Sequence, residues 1–500
     1  MLTILESWRQ EHLNKGEDDM RLKKLGLVVI VVLQVVFFAG ADEVDAVLKS
    51  IRGGDIFEIT KVLASPEMEG RLAGTEGFRR AATWAAAKFK EWKLKPVYGQ
   101  NYLQSFRVSF NEMRETSISL FLPAEKGKNE PKPVELEIYK DFCPTLYSGF
   151  GEVEAEVVFA GFGISDEELG WDDYRGIEVK GKIAAILHGT PEVEGKDFSK
   201  YIERHPKLWI AKNKGAAGLL ILQGAVVSGN GDYVEGLPMA MVGEKVWQSL
   251  FASKGYNFEA VRAMCRDGHH LSFSTGVKAR IKSRGVHHDS AETFNVVGMI
   301  EGRAPVLKQE YIIFGGHLDG IGPWPILHPG ANDNASGSAV VMALAQAFSR
   351  LKTPSKRTLV FALFSGEELG LHGSKHMAAN LPRFPSKPLL MVNHDMNGVG
   401  NSLIVAGGKT YPEMFGFLEK ANEKYSLLRS LSASEISPIG GNSDYAPFLA
   451  KGIPAYSNWT RGGRGGGIHT AEDSIYMVAP KIMEDIVRLY FVAAFEFANR

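Results

Sequence analysis

The chain has 500 residues, 45% of them hydrophobic, and a formal net charge of −1 at pH 7. It can therefore bury a large core, and more than one domain is expected; the charge balance leaves no basic footprint for nucleic acid and no acidic tail. With only Cys143 and Cys265, a disulfide framework and a Cys-based zinc ribbon are excluded, while one bridge between them and two separately buried thiols both stay open.

Residues 1–41 read as a targeting segment. From Met20, a basic start (Arg21, Lys23, Lys24) precedes an apolar run from Leu25 to Phe38 and the small residues Ala39, Gly40 and Ala41. This is the layout of a cleavable signal peptide, and the run is shorter than the ~20 residues of a spanning helix. Met20 is an alternative start, because the stretch before it is polar. The expectation is export, periplasmic or secreted, with no stable membrane insertion after cleavage; an uncleaved anchor is the alternative.

Residues 42–133 begin with "ITKVLASPEMEGRLAGTEGFRRAATWAAAKFKEW", helical in period around a Gly-containing turn, and then become strand-like. Across 134–284 the texture changes to short β runs, "EVVFAGFGI", "GKIAAILHG" and "GLLILQG", divided by Gly and acidic turns, with "KLWIAKNKGAAGLL" a helix leading into a strand. From 285 to 500 strand–helix alternation returns. "EYIIFGG", "RTLVFALFSG" and "PLLMVNHD" read as buried strands, "NASGSAVVMALAQAFSRL" as the helix between the first two, and "KIMEDIVRLYFVAAFEFA" as a closing amphipathic helix. A β-rich block between α/β segments suggests an insertion into an α/β domain. His287 and His288, at the second seam, read as exposed linker residues.

In an α/β sheet, functional side chains gather outside the carboxyl ends of the strands. His317, Asp319, Asp333, Glu367, Glu368 and Asp395 all fall there, and His469 follows later. Carboxylates crowded without basic partners resist joint ionisation, and divalent cations remove that cost. Two imidazoles and three carboxylates, one of them shared, make two open sites with three protein ligands each, and nitrogen and oxygen donors without thiolate suit zinc. The alternative for Glu367 and Glu368 is an acidic helix N-terminus; His372, four residues past Glu368, reads as a surface or capping residue. No H-E-x-x-H helix is present, and "GGRGGG" before His469 lacks the strand-to-helix frame of a phosphate loop.

The series "GGHLDGIG", "GANDNASG", "SGEELGLHGS", "NHDMNG", "GGNSDYAPF" and "IHTAEDS" resembles the di-zinc exopeptidase family that includes bacterial leucyl aminopeptidases, glutamate carboxypeptidases and the transferrin receptor. "AEVVFAGFGI", "DDYRGIEVKGKIAAIL" and "KNKGAAGLLIL" resemble the protease-associated domain often inserted in it. The resemblance implies an α/β fold with a mixed central sheet flanked by helices. It implies a catalytic domain in two parts, 42–133 and 285–500, with a β-rich protease-associated domain at 134–284. It also implies two Zn2+ per chain: His317 and Asp395 on one, Glu368 and His469 on the other, Asp333 bridging. Glu367 would be the general base, Asp319 would orient His317, and Asp444 and Tyr445 would lie near substrate. In this family the bridging aspartate precedes a cis peptide. Tyr445 stands where relatives frequently have His, which bears on substrate fit.

The implied activity is peptide hydrolysis at chain ends by a zinc aminopeptidase. Alternatives are a carboxypeptidase or dipeptidase on the same centre, with Arg461 and Arg464 as candidate carboxylate partners, and a non-catalytic receptor-like protein.

Overall fold

The computed structural model describes residues 42–500 apart from 125–131, 203–204, 225–232, 253, 438–440 and 464–466. The segment expected to be a signal peptide and half of the "GGRGGG" loop, Arg464 included, lie outside the described residues. Among the described residues no helix is long and apolar enough to cross a membrane.

A helical stretch at 42–50 is followed by helices α1 (Gly53–Leu63) and α2 (Glu76–Glu91). Thr75 caps α2, its side chain accepting from the Phe78 amide at 3.4 Å, and Ala81, Ala82, Ala85 and Phe89 form the buried face. The long strand β1 (Leu103–Phe121) leads into β2 (Phe142–Pro144), β3 (Gly151–Ala160) and β4 (Ile183–Leu187). Then follow α3 (His205–Asn213), β5 (Gly218–Leu222), β6 (Met239–Val242), α4 (Glu244–Ala252) and α5 (Phe258–Arg266). A second long strand, β7 (Ser272–Ile300), returns the chain to β8 (Tyr311–His317), α6 (Gly337–Ser349), β9 (Thr358–Phe364) and α7 (His372–Ala379). The chain ends with β10 (Leu390–His394), β11 (Ser402–Ala406), α8 (Pro412–Tyr425), β12 (Ser430–Ser434), α9 (Ala446–Ala450), β13 (Ala455–Arg461) and α10 (Pro480–Asn499).

The strands form one continuous sheet in the order β12-β11-β13-β10-β8-β9-β7-β3-β4-β5-β6-β2, with β1 running along β7. Strands β9, β8, β10 and β13 are mutually parallel neighbours; β7 is antiparallel to β9, β1 and β3; β3 through β6 are parallel. This is the mixed α/β sheet expected from the sequence.

Alternation along the strands builds two faces at each end of the sheet. Ile312, Phe314, Leu359, Phe361, Leu390 and Val392 pack under α1, α2, α6 and α10, whereas Ile313, Val360, Ala362 and Met391 pack with Met377 of α7 and Phe448 of α9. Far along the sheet, Val157, Phe159, Ala185 and Leu220 face one cluster and Val158, Ala184, Ile186 and Leu219 face another. Strands covered on both faces need continuous apolar runs, which is why these segments read as such.

The structure settles the two cysteines, locates the expected second boundary and changes the reading of two histidines. Cys143 and Cys265 are both buried, in different clusters, and form no disulfide. Position 284/285, taken as a seam, lies inside β7, where the pairing with β1 shifts register. His287 and His288 are therefore strand residues, not an exposed linker: His287 stacks on Tyr233 with ring centroids 3.7 Å apart, and His288 stacks on Phe110 at 4.5 Å.

Candidate metal centre

Because β9, β8 and β10 are adjacent and parallel, their carboxyl ends share one edge. His317 ends β8, Glu367 and Glu368 lie in the turn after β9, and Asp395 follows β10 directly. The loop ahead of α6 brings Asp333 to the same edge, and the chain after β13 brings His469. Helix α7 starts only at His372, so the two glutamates precede the helix and are not its acidic first turn.

Asp333 is the hub. Its Oδ1 lies 3.2 Å from His317 Nε2 and its Oδ2 lies 3.2 Å from His469 Nε2. His317 Nε2 is also 3.5 Å from Asp395 Oδ1, and His469 Nε2 is 3.1 Å from Glu368 Oε2. Each carboxylate oxygen of Asp333 thus faces a different imidazole, and each imidazole has a second carboxylate beside it. Glu367 joins His317 and Asp395 in one cluster of donor atoms within 4.8 Å of one another, and His317, Asp333 and Glu368 form a second. The peptide from Asp333 to Asn334 is cis.

These residues fit a divalent cation. Glu368 Oε1 and Asp395 Oδ1 are buried with no hydrogen-bond partner among the described residues, an arrangement costly to a carboxylate unless a cation meets it. The donors are imidazole nitrogen and carboxylate oxygen, a set suited to zinc. The charges respond to one another in the same sense. Burial opposes protonation of His317, yet Glu367, Asp333 and Asp395 outweigh it and hold its pKa well above the usual value. His469 is raised likewise, against burial, by Glu368 and Asp333. Burial opposes ionisation of Asp333, but hydrogen bonds from both imidazoles hold its pKa below the usual carboxylate range. Glu367, with no such partner, is pushed well above it by burial and by Glu368, Asp444 and Asp395, although His317 pulls the other way.

Asp319 has a further role that the resemblance does not imply. The imidazole of His317 donates from Nδ1 to the Asp319 backbone carbonyl at 3.2 Å, and the side-chain Oδ1 is farther, at 3.8 Å. The Asp319 carboxylate also accepts from the amides of Glu367 and Glu368, both at 3.2 Å, and so fixes the turn that carries them. Burial pushes Asp319 up to about 7, with Glu368 adding to the shift and His317 opposing it. Asp444 is fully buried near His317, Asp319 and Asp395, and burial pushes it up to about 7 as well. Tyr445 is half-buried at the start of α9.

Three supporting residues escaped the sequence reading. Ser443 donates to Asp395 Oδ2 at 2.6 Å. Asp473 accepts from the amides of Asn332 (2.8 Å) and Asp333 (2.9 Å). Arg71, wholly buried, donates to the carbonyls of Leu63 (2.5 Å), Leu318 (2.8 Å), Pro329 (2.8 Å) and Gly330 (2.9 Å). Loop 329–333 is thus held by a cation on its carbonyls and an anion on its amides. Gly330 makes this possible: its φ is +54°, and a Cβ there would stand 2.4 Å from the Asp333 carbonyl oxygen. The one local cue was a charged residue inside each of the quoted motifs "EGRLAG" and "IHTAEDS".

Residues 295–493 match the profile of peptidase family M28. This segment is an M28 peptidase domain. Beyond it, the chain is 29% identical over 402 residues to an aminopeptidase of Pseudomonas aeruginosa, covering 77% of this chain and 67% of that protein. It is 25% identical over 442 residues to aminopeptidase YwaD of Bacillus subtilis, covering 86% and 82%. A crystal structure of a peptidase M28 precursor from Shewanella amazonensis SB2B superposes with a TM-score of 0.63 at 21% identity, covering 92% of this chain and 96% of that one. The fold is therefore shared across nearly the full described length, and the donor cluster falls inside the M28 domain.

Proposed function

We propose that the protein is an exported zinc-dependent aminopeptidase that uses two zinc ions and the carboxylate of Glu367. One observation carries this reading: the two oxygens of Asp333 face two different imidazoles, each with its own second carboxylate, so that one aspartate serves two three-donor sets. His317, Asp395 and Asp333 would hold one ion; Glu368, His469 and Asp333 would hold the other. When bound, such ions polarise the scissile carbonyl and lower the pKa of the attacking water.

The remaining work falls to side chains. Glu367 is buried within the donor cluster, and both proposed sets are complete without it. It takes the proton of the attacking water and returns it to the leaving amine. Asp319 keeps Glu367 and Glu368 apart in role by pinning both amides of their turn. Ser443 leaves Asp395 with one oxygen hydrogen-bonded and the other available. The relatives named as aminopeptidases support the choice of the amino end. Export rests on the basic, apolar and small-residue order of residues 20–41. The body built on β3 to β6 is, in this reading, the inserted protease-associated domain, which shapes access and contributes no catalytic group.

The test is turnover of one leucyl peptide in free, N-acetylated and C-amidated forms by native enzyme and by Glu367→Gln. Acetylation should abolish cleavage and amidation should not. Glu367→Gln should retain its zinc and lose at least ~10²-fold in rate. Equal cleavage of the acetylated peptide would end the aminopeptidase reading, and near-normal turnover by Glu367→Gln would end the assignment of the base.

A further inference from the structure

Beside the donor cluster lies a cavity of about 770 Å³, on the scale of sites that enclose a small organic ligand. Its wall joins the two ends of the molecule: Tyr147 and Tyr233 come from the β2–β6 body, and Gly370, Lys375, Asn442 and Lys451 from the M28 domain. It adjoins the catalytic edge directly. Gly370 is two residues past Glu368, and Asn442 immediately precedes Ser443, whose hydroxyl bonds to Asp395.

The charge of this wall differs from that of the donor cluster. Among the described residues lining the cavity there are two lysines and three histidines, and no aspartate or glutamate. Lys375 donates to the Gly370 carbonyl at 2.8 Å, and neither Lys375 nor Lys451 has a carboxylate within 4 Å among the described residues. Lysines elsewhere are commonly paired, as Lys245 is with Asp141 at 2.8 Å and Lys481 with Asp485 at 2.7 Å. The lysine-bearing wall therefore stands next to an acidic cluster, Glu367, Glu368, Asp333, Asp395 and Asp444, that does not itself line the cavity. A short peptide is polar in the complementary sense, carrying an ammonium at its start and a carboxylate at its end. Leu369 and Gly370 of its wall directly follow Glu367 and Glu368, so a leaving portion that extends away from Glu367, the group that would protonate its amine, has this cavity next to it.

We propose that this cavity binds the free α-carboxylate end of short peptides, with Lys375 and Lys451 as its counter-charges, and that the enzyme thereby prefers oligopeptides to long chains and to amidated ends. This deepens the aminopeptidase reading and rests on it for the direction of the substrate.

The experiment measures binding apart from turnover. Calorimetry on the full-length protein would compare N-acetyl-trialanine with its C-terminal amide. The acid should bind about fivefold or more tightly, as expected of an ion pair worth about 1 kcal/mol. The advantage should fall to near one in Lys375→Gln/Lys451→Gln, and it should shrink with added salt. Equal binding of acid and amide by native protein, or an advantage that survives both substitutions, overturns the proposal. Carboxylate-selective binding by a protein that fails to cleave free leucyl peptides would uphold the cavity and refute the aminopeptidase reading instead.

Discussion

Asp473→Asn isolates the grip on the loop that carries Asp333. The substitution preserves size, so packing around residue 473 changes little. It removes a carboxylate that receives two amides, at 2.8 and 2.9 Å, and puts an NH2 group opposite one of them. Hydrogen bonds to a charged group contribute about 1.5–3 kcal/mol each, and an orphaned buried N–H costs about 1–3 kcal/mol. Asparagine keeps one acceptor, so the expected loss in stability is about 2–3 kcal/mol. It also takes away the anion whose charge most favours ionised Arg71, the residue holding the other side of the same loop. The loop should then place Asp333 less firmly, and zinc affinity should fall by about 10–100-fold, the usual range for groups that orient a ligand. Urea unfolding of the metal-free protein reads the first quantity, and competition against a chromophoric chelator reads the second. A stability loss with zinc affinity unchanged within twofold would refute the positioning argument and leave Asp473 a structural residue only.

Two further outcomes follow from buried groups. His328 is held neutral: burial lowers its pKa to about 4, with the Gly322 carbonyl opposing the shift, while in the unfolded chain it titrates near 6.5. The folded value is the lower one, so this contribution to stability is present above about pH 6.5 and is lost as pH falls toward 4; it amounts to about 2 kcal/mol between pH 7 and 5, and denaturant titrations in which His328→Gln shows the same pH dependence as native protein would refute it. Chelation should remove two zinc ions per chain and lower the melting temperature, because a thousandfold excess of free metal over its dissociation constant is worth about 4 kcal/mol; a melting temperature indifferent to chelator, or a tight stoichiometry of one, would contradict the two-site reading.

The sheet and the polar residues gathered at its edge could be read in the sequence because both leave local marks. Strands such as Tyr311–His317 and Thr358–Phe364 are buried on both faces, so they appear as unbroken apolar runs, and a polar residue closing such a run marks the sheet edge. What was misread depends on partners far along the chain. His287 and His288 look like linker residues until β7 is paired with β1, which sets them against Asn111 and Phe110. Arg71 is separated by 247 to 259 residues from three of the carbonyls it binds, and nothing in its own neighbourhood announces them. Asp319 was matched to His317 through the resemblance, which gave no sign that its carboxylate also receives the amides of Glu367 and Glu368, nearly 50 residues away. A motif match names one role for a side chain but not every distant group that the side chain reaches.

The same contacts explain how so many carboxylates stand together at one edge. Like charges in a buried site repel, and loops carrying them would separate if only their own backbones held them. Each acidic segment is instead restrained from another part of the chain. Asp319 anchors the Glu367–Glu368 turn, Ser443 anchors Asp395, and Asp473 and Arg71 anchor loop 329–333 from opposite sides. Most of these restraints act on backbone amides and carbonyls, not on the carboxylate oxygens themselves, so they fix position while leaving Glu368 Oε1 and Asp395 Oδ1 without a hydrogen-bond partner among the described residues. Rigid backbone and open side-chain oxygens are what a metal centre requires, since the ions must find their donors already placed and those donors must have no other hydrogen-bond partner.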